Sequence, residues 1–105
     1  MTYDEFRGSF KVKKFFGLSE QQYRMFSIIM FREQVSRDSI IQQMYNDPDE
    51  EPDNVGNVLS VNMTRMRRKL SGFNLKVETV WGLGYYMTKE DRMKAIELAK
   101  QAMER

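Results

Sequence analysis

Two residue types are missing altogether: the 105-residue chain has neither cysteine nor histidine. Without cysteine there is no disulfide, no thiolate zinc site and no thiol nucleophile; without histidine the commonest general base and metal ligand is gone. Most enzyme chemistries lose their usual residues, so no catalysis, no metal and no cofactor are expected. Long apolar runs are missing too. No segment approaches the roughly 20 apolar residues of a membrane span, and the start Met1-Thr2-Tyr3-Asp4-Glu5 lacks the basic-then-apolar order of a secretion signal. The reading is a soluble cytoplasmic protein with no membrane partner. Net charge is also small, +2, too little to argue for a polyanionic partner by itself.

The distribution of charge is more telling than its sum. Four of the five residues from Arg65 to Lys69 are basic, and Arg7, Lys11, Lys13 and Lys14 form a second cluster. Five acids, Asp47, Asp49, Glu50, Glu51 and Asp53, fall within seven residues that also hold both prolines of the chain, Pro48 and Pro52. Such segregation suggests opposite faces with different partners, or solvated loops of either sign. Seven phenylalanines, five tyrosines and one tryptophan suffice for one modest core, and the length leaves room for one domain over residues 1–105.

Periodicity divides that domain. Residues Gly8 to Phe16 alternate loosely and read as a short strand, making 1–17 a strand region. Ser19 and Gln22 form a capping box for a first helix carrying Tyr23, Phe26, Ile29 and Met30 toward about Arg32. Ser36 caps a second helix with Ile40, Ile41, Met44 and Tyr45 on its buried side. Asn46 to Asn54 cannot continue that helix and reads as an exposed acidic loop. A third helix runs from about Val55 to Leu70 and stops at Ser71-Gly72. Asn74 to Val80 alternates as a strand, and Gly84 to Met87 returns around Trp81-Gly82-Leu83-Gly84 to complete a hairpin. Thr88 with Asp91 opens a last helix, Lys89 to about Glu104, with Met93, Ile96, Ala99 and Met103 on one side.

The third helix and hairpin carry the functional signal. Leu59, Met63, Met66 and Leu70 are spaced by four, three and four residues and fall on one stripe, leaving Asn57, Val61, Thr64, Arg65 and Arg68 opposite. A helix with an apolar back and a front of arginine, asparagine and threonine can pack on a small core and enter a major groove at once. There, arginine reads guanine and asparagine reads adenine. Followed by a glycine-turned hairpin, it has the makings of a winged-helix DNA reader. The fold class expected is α+β, a winged helix-turn-helix. It comprises a three-helix core over 18–87 with a C-terminal β-hairpin wing, the short N-terminal strand region, and an added helix over 88–105.

With these residues in place the chain resembles the winged-helix output domain of the OmpR/PhoB-type bacterial response regulators, over roughly Gly17 to Met87. Leu18-Ser19 with Tyr23 is similar to the family's Leu-Thr-x-x-Glu-Phe. Val35-Ser36-Arg37 with Ile40 is similar to its Val-Ser-Arg-x-x-Leu. Leu59 to Leu70 resembles Val-Asp-Val-His-Ile-Ser-Arg-Leu-Arg-Arg-Lys-Leu, and Thr79 to Tyr85 resembles Thr-Val-Arg-Gly-x-Gly-Tyr. The resemblance implies a recognition helix whose Val61, Thr64 and Arg65 face bases, joined in the helical-wheel reading by Asn57. It also implies that Arg67, Arg68 and Thr79 hold phosphates, to which the basic run adds Lys69. The hairpin tip would approach the adjacent minor groove, and the acidic loop would touch RNA polymerase.

Departures from the family shape the remaining expectations. Asn57 and Ser60 replace its arginine and aspartate, so base preference should differ. Trp81 replaces the wing arginine and can pack on sugars or wedge at a base step, or else simply cap the core. No receiver domain is read ahead of the strand region, so the expected protein is a stand-alone transcription regulator of a bacterial cell or a phage-infected host. The added helix packs either on its own domain or on a second copy, in which case Met93, Ile96, Ala99 and Met103 support self-association on DNA. A protein-interaction module that binds RNA polymerase or another regulator through Asp47 to Asp53 is the other function class the scaffold supports.

Overall fold

The computed structural model describes residues 1–45 and 47–105. Asn46, the first residue of the expected acidic loop, lies outside the described residues. The elements are α1 (Tyr3–Arg7), α2 (Phe10–Phe16), α3 (Glu20–Met30), α4 (Arg37–Met44), a 3-10 turn (Pro48–Glu50), α5 (Val55–Ser71), β1 (Glu78–Val80), β2 (Gly84–Tyr86) and α6 (Lys89–Met103).

The amino-terminal strand expected over Gly8 to Phe16 is not formed; two short helices stand there. Thr2 and Glu5 close a capping box on α1, with the Glu5 N–H donating to the Thr2 hydroxyl and the Thr2 N–H to the Glu5 carboxylate. Ser9 caps α2 by accepting from the Val12 N–H at 3.2 Å. Val12 and Phe16, four residues apart, are buried, whereas Phe10 stands 71% exposed. The apolar repeat is therefore helical, and the intervening lysines imitate a strand's alternation over too few residues to tell the periods apart. Gly17, at φ 69°, ends α2 in the left-handed conformation that favours glycine.

Helix α3 forms the centre of the molecule. Its Ser19–Gln22 capping box is present, and Tyr23, Met25, Phe26, Ile28, Ile29 and Met30 are all buried. A helix apolar on nearly every side needs neighbours all round, and α3 packs against α1, α4, α5 and β2. Phe6 of α1 stacks on Tyr23 at 5.4 Å and meets Phe26 and Phe31 edge-on, while the Tyr23 hydroxyl donates to the Phe6 carbonyl. Burial pushes the Tyr23 phenol well above its ordinary pKa, so this donor keeps its proton.

The stripe Leu59, Met63, Met66 and Leu70 seats α5 on this core, all four residues being buried. Beyond α5 the extended segment is shorter in pairing than expected. Leu75 and Val77 are buried as the alternation requires, yet only Glu78 to Val80 pair with Gly84 to Tyr86. The Lys76 N–H donates to the Asp91 carboxylate instead, and Asn74 bends the chain at φ 59°.

Helix α6 is capped by Thr88, which accepts from the Asp91 N–H at 3.1 Å. Its buried face is Ala95, Ala99 and Ala102, with Ile96, Leu98 and Met103 half-buried, and it packs on α2 of its own domain. The self-association stripe expected on Met93, Ile96, Ala99 and Met103 is accordingly corrected: Ala99 is fully buried, Ile96 and Met103 pack on the core, and only Met93 faces out, at 61% exposure. Small side chains let two helices approach closely, and this face is occupied by α2. Phe6, Val12, Met66 and Ala99 belong to one core cluster, so the terminal helices and the central part form one unit.

Candidate nucleic-acid interface

Helix α5 turns Asn57, Val61, Thr64, Arg65 and Arg68 to solvent, as its wheel requires. Shallow depressions flank the ridge of Val61 and Arg65, one lined with Ser60, Thr64 and Arg68, the other with Gln21, Asn54, Asn57, Val58 and Asn62. The Thr64 hydroxyl donates back to the Ser60 carbonyl at 3.0 Å, so its methyl is the part most free to meet a ligand. Among the described residues, the side chains of Asn57, Arg65 and Arg68 make no hydrogen bond or ion pair with the protein.

The other expected contacts are differently placed. Arg67 is half-buried: its Nε and Nη2 donate to the Val77 carbonyl at 3.1 and 2.8 Å, and Nη2 also donates to the Thr79 hydroxyl at 2.7 Å. Its guanidinium carbon lies 5.5 Å from the Tyr85 ring centre. Arg67, expected with Thr79 at phosphates, here forms a clamp that joins α5 to both hairpin strands, while Thr79 remains exposed. Lys69 donates through Nζ to the Oε1 of buried Gln22 at 3.0 Å, which ties α5 to the start of α3. Of the run Arg65 to Lys69, Arg65 and Arg68 are the cations turned outward without an internal partner among the described residues.

Arg37, in the first turn of α4, joins three elements. Arg37 donates to the Tyr85 hydroxyl at 3.2 Å, to the Gly56 carbonyl at 2.6 Å and to the Ser60 hydroxyl at 2.9 Å. A cation in the first turn of a helix opposes the helix dipole, so its presence there signals a partner elsewhere. Here α4, α5 and the hairpin meet on one guanidinium. Beside it, Val35 and Tyr85 exchange two backbone hydrogen bonds of 2.9 Å, extending the hairpin by a bridge to the link before α4. Gly84 permits this approach: a Cβ there would lie 2.1 Å from the Val35 carbonyl oxygen.

At the hairpin tip Trp81 is 91% exposed, which removes the alternative that it caps the core. The acids Asp47, Asp49, Glu50, Glu51 and Asp53 are all exposed. Asp47 organises the 3-10 turn by accepting from the Asp49 and Glu50 N–H groups. Among the described residues, no three His, Cys, Asp or Glu side chains gather in a way that could hold a metal ion, and no helix is long and apolar enough to cross a membrane.

A tri-helical core, a basic outward helix and a braced two-stranded hairpin define the winged helix-turn-helix class of DNA-binding domains. Residues 15–87 match the family model described as transcriptional regulatory protein, C terminal. The chain belongs to this family, whose members are DNA-binding transcription-regulator domains of the OmpR/PhoB type. No curated protein and no solved structure matches the chain. The match ends at Met87, so α6 lies beyond it, as does most of the amino-terminal helical pair.

Proposed function

We propose that this protein binds particular double-stranded DNA sequences, with α5 in the major groove and the β1–β2 hairpin as the wing. One observation carries the reading: Asn57, Val61, Thr64, Arg65 and Arg68 all face outward on α5, while the neighbouring Arg67 and Lys69 tie the helix to the rest of the domain. Arg65 and Asn57 are suited to bidentate reading of guanine and adenine, Val61 and the Thr64 methyl to a thymine methyl, and Arg68 to a phosphate. Arg67 and Thr79 act indirectly, by setting the angle of the wing.

Selection from a random duplex pool, followed by titration at two salt concentrations, tests this. Arg65→Ala should weaken the selected duplex by about tenfold or more, consistent with ~1 to 3 kcal/mol for a base-reading arginine, and leave random duplex little changed. Arg68→Ala should weaken both alike. Equal loss of specificity in the two variants, or no enriched motif, would refute the assignment.

One helix and one wing bury a module-sized surface, roughly 600 to 1,000 Å², which favours two copies on one site. With Ala99 buried and Ile96 and Met103 packed against the core, α6 offers Met93 and only half-buried apolar side chains for pairing, so we place the pairing on the DNA as head-to-tail copies. Sedimentation of the complex checks this, and a single copy per site at saturation would oppose it. A protein-partner reading is favoured at one place, the exposed acids between α4 and α5, which suit a basic surface of RNA polymerase. Substituting Asp49, Glu50 and Glu51 by Asn or Gln should lower transcriptional output with DNA binding retained; loss of DNA binding would contradict it.

A further inference from the structure

Among the described residues, the tip of the hairpin carries the most exposed large apolar side chain. Trp81 and Leu83 are 91% and 61% exposed, and tryptophan, large and with one polar edge, is enriched where a partner is contacted. The tip is firmly based. Leu83 donates its N–H to the Val80 carbonyl at 2.9 Å, closing a turn in which Gly82 adopts φ 77°. Below it, the Val35 bridge, the close approach at Gly84 and the Arg67 clamp fix both strands.

Charge and continuity indicate what this tip meets. From Thr79 to Met87 there is no lysine or arginine, so the tip cannot hold a phosphate by charge; it offers an indole and an isobutyl group. The concavity beneath the tip is lined by Arg37 and Trp81. Arg37 donates to Ser60, and Ser60 lines the depression that holds Arg65 and Arg68. The apolar tip is therefore continuous with the outward basic face of α5.

We propose that Trp81, supported by Leu83, is an apolar wedge that enters the minor groove beside the α5 site, partly unstacks one base step and bends the duplex. Apolar side chains used this way open a step and bend DNA toward the major groove. Pyrimidine–purine steps unstack most readily. The chain then requires a TA or CA/TG step at a fixed distance from the bases that α5 reads, and this requirement involves no hydrogen bond from the wing. The inference rests on the DNA-binding reading above and adds a bend and a flexible step to it.

Because Trp81 is the chain's one tryptophan, its emission reports the tip alone. Duplexes enriched from a random pool, labelled at one end for anisotropy and carrying 2-aminopurine at the flanking step, are titrated with the full chain. Bending is followed by energy transfer between the two duplex ends. The expected result is quenched Trp81 emission, brightened 2-aminopurine and shortened end-to-end distance at the same protein concentration at which anisotropy rises. Trp81→Ala should abolish the brightening, the bend and the step preference and weaken binding about tenfold, in line with the loss of one aromatic–base stack. Trp81→Arg should retain affinity through charge but give neither brightening nor bend. A complex formed with unchanged Trp81 emission and unchanged 2-aminopurine would overturn the wedge while leaving the DNA-binding reading intact. Absence of anisotropy change on every duplex would overturn both.

Discussion

Replacing Gly84 by alanine strikes the point where the wing is fastened to the helical core. The added methyl would lie 2.1 Å from the Val35 carbonyl oxygen and 2.8 Å from both the Val35 carbonyl carbon and the Ser36 Cα. All three are backbone atoms, so no side chain can swing aside. The glycine also sits at φ 141°, where an alanine is strained by about 1 to 3 kcal/mol. Relief requires moving β2 away from Val35, which breaks the two 2.9 Å backbone hydrogen bonds between Val35 and Tyr85, each worth about 1 kcal/mol net. The expected cost is roughly 3 to 5 kcal/mol. Gly82→Ala is the control: its φ of 77° also disfavours alanine, but no atom lies within 4 Å of the new methyl, so the cost should be about 1 to 2 kcal/mol. Urea unfolding of both variants, followed by far-ultraviolet dichroism, measures the difference. If Gly84→Ala were no more costly than Gly82→Ala, the close approach to Val35 would not be what demands glycine.

Arg67→Ala should lower stability by about 1.5 to 3 kcal/mol, through loss of its hydrogen bonds to Val77 and Thr79, and weaken all duplexes without changing the salt dependence of binding. Arg68→Ala should instead reduce the slope of log K against log salt by about one, and a reduced slope for Arg67→Ala would return Arg67 to the phosphates. Glu20 lies 2.5 Å from Arg7, 3.0 Å from Lys13 and 3.7 Å from Arg24. The Lys13 hydrogen bond chiefly, with Arg7, holds its carboxyl below the ordinary carboxylate range against a burial effect in the other direction. Its stabilisation is therefore complete above the unfolded value of 4.5 and lost as pH falls through the lowered folded value. Since Glu20 is half exposed, Glu20→Gln should cost no more than about 1 kcal/mol at neutral pH and flatten the acid limb of the stability profile, which urea midpoints across pH would show.

What was legible in the sequence was local. Ser19, Ser36 and Thr88 mark helix starts because a capping side chain bonds within three residues of itself. The α5 stripe is legible because four large residues repeat over three turns. The amino-terminal helices were not, since α1 and α2 span five and seven residues, too few for a period of 3.6 to separate from one of two. On α6 the large Met93 dominates the apolar pattern while three alanines form the buried face; small residues carry little hydrophobic signal, yet they are what a close helix pair needs. The role of Arg67 depended on Val77, ten residues on and past the bend at Asn74. A wheel can show that Arg67 lies at a flank, but not which carbonyl comes to meet it.

Arg67 and Lys69 are tied by hydrogen bonds to Val77, Thr79 and Gln22, so within the basic run Arg65 and Arg68 are the cations whose side chains have no such tether among the described residues. On the proposed DNA-binding reading, discrimination depends also on geometry: the tilt of α5 and the position of the wing. Both depend on Arg37, whose guanidinium is shared among Gly56 and Ser60 of α5 and Tyr85 of β2. A displacement of the tip that moved Tyr85 would disturb the same guanidinium that fixes the first turns of α5. The wing and the first turns of α5 are therefore linked through one side chain, at the helix start where its charge is least favourable without those partners.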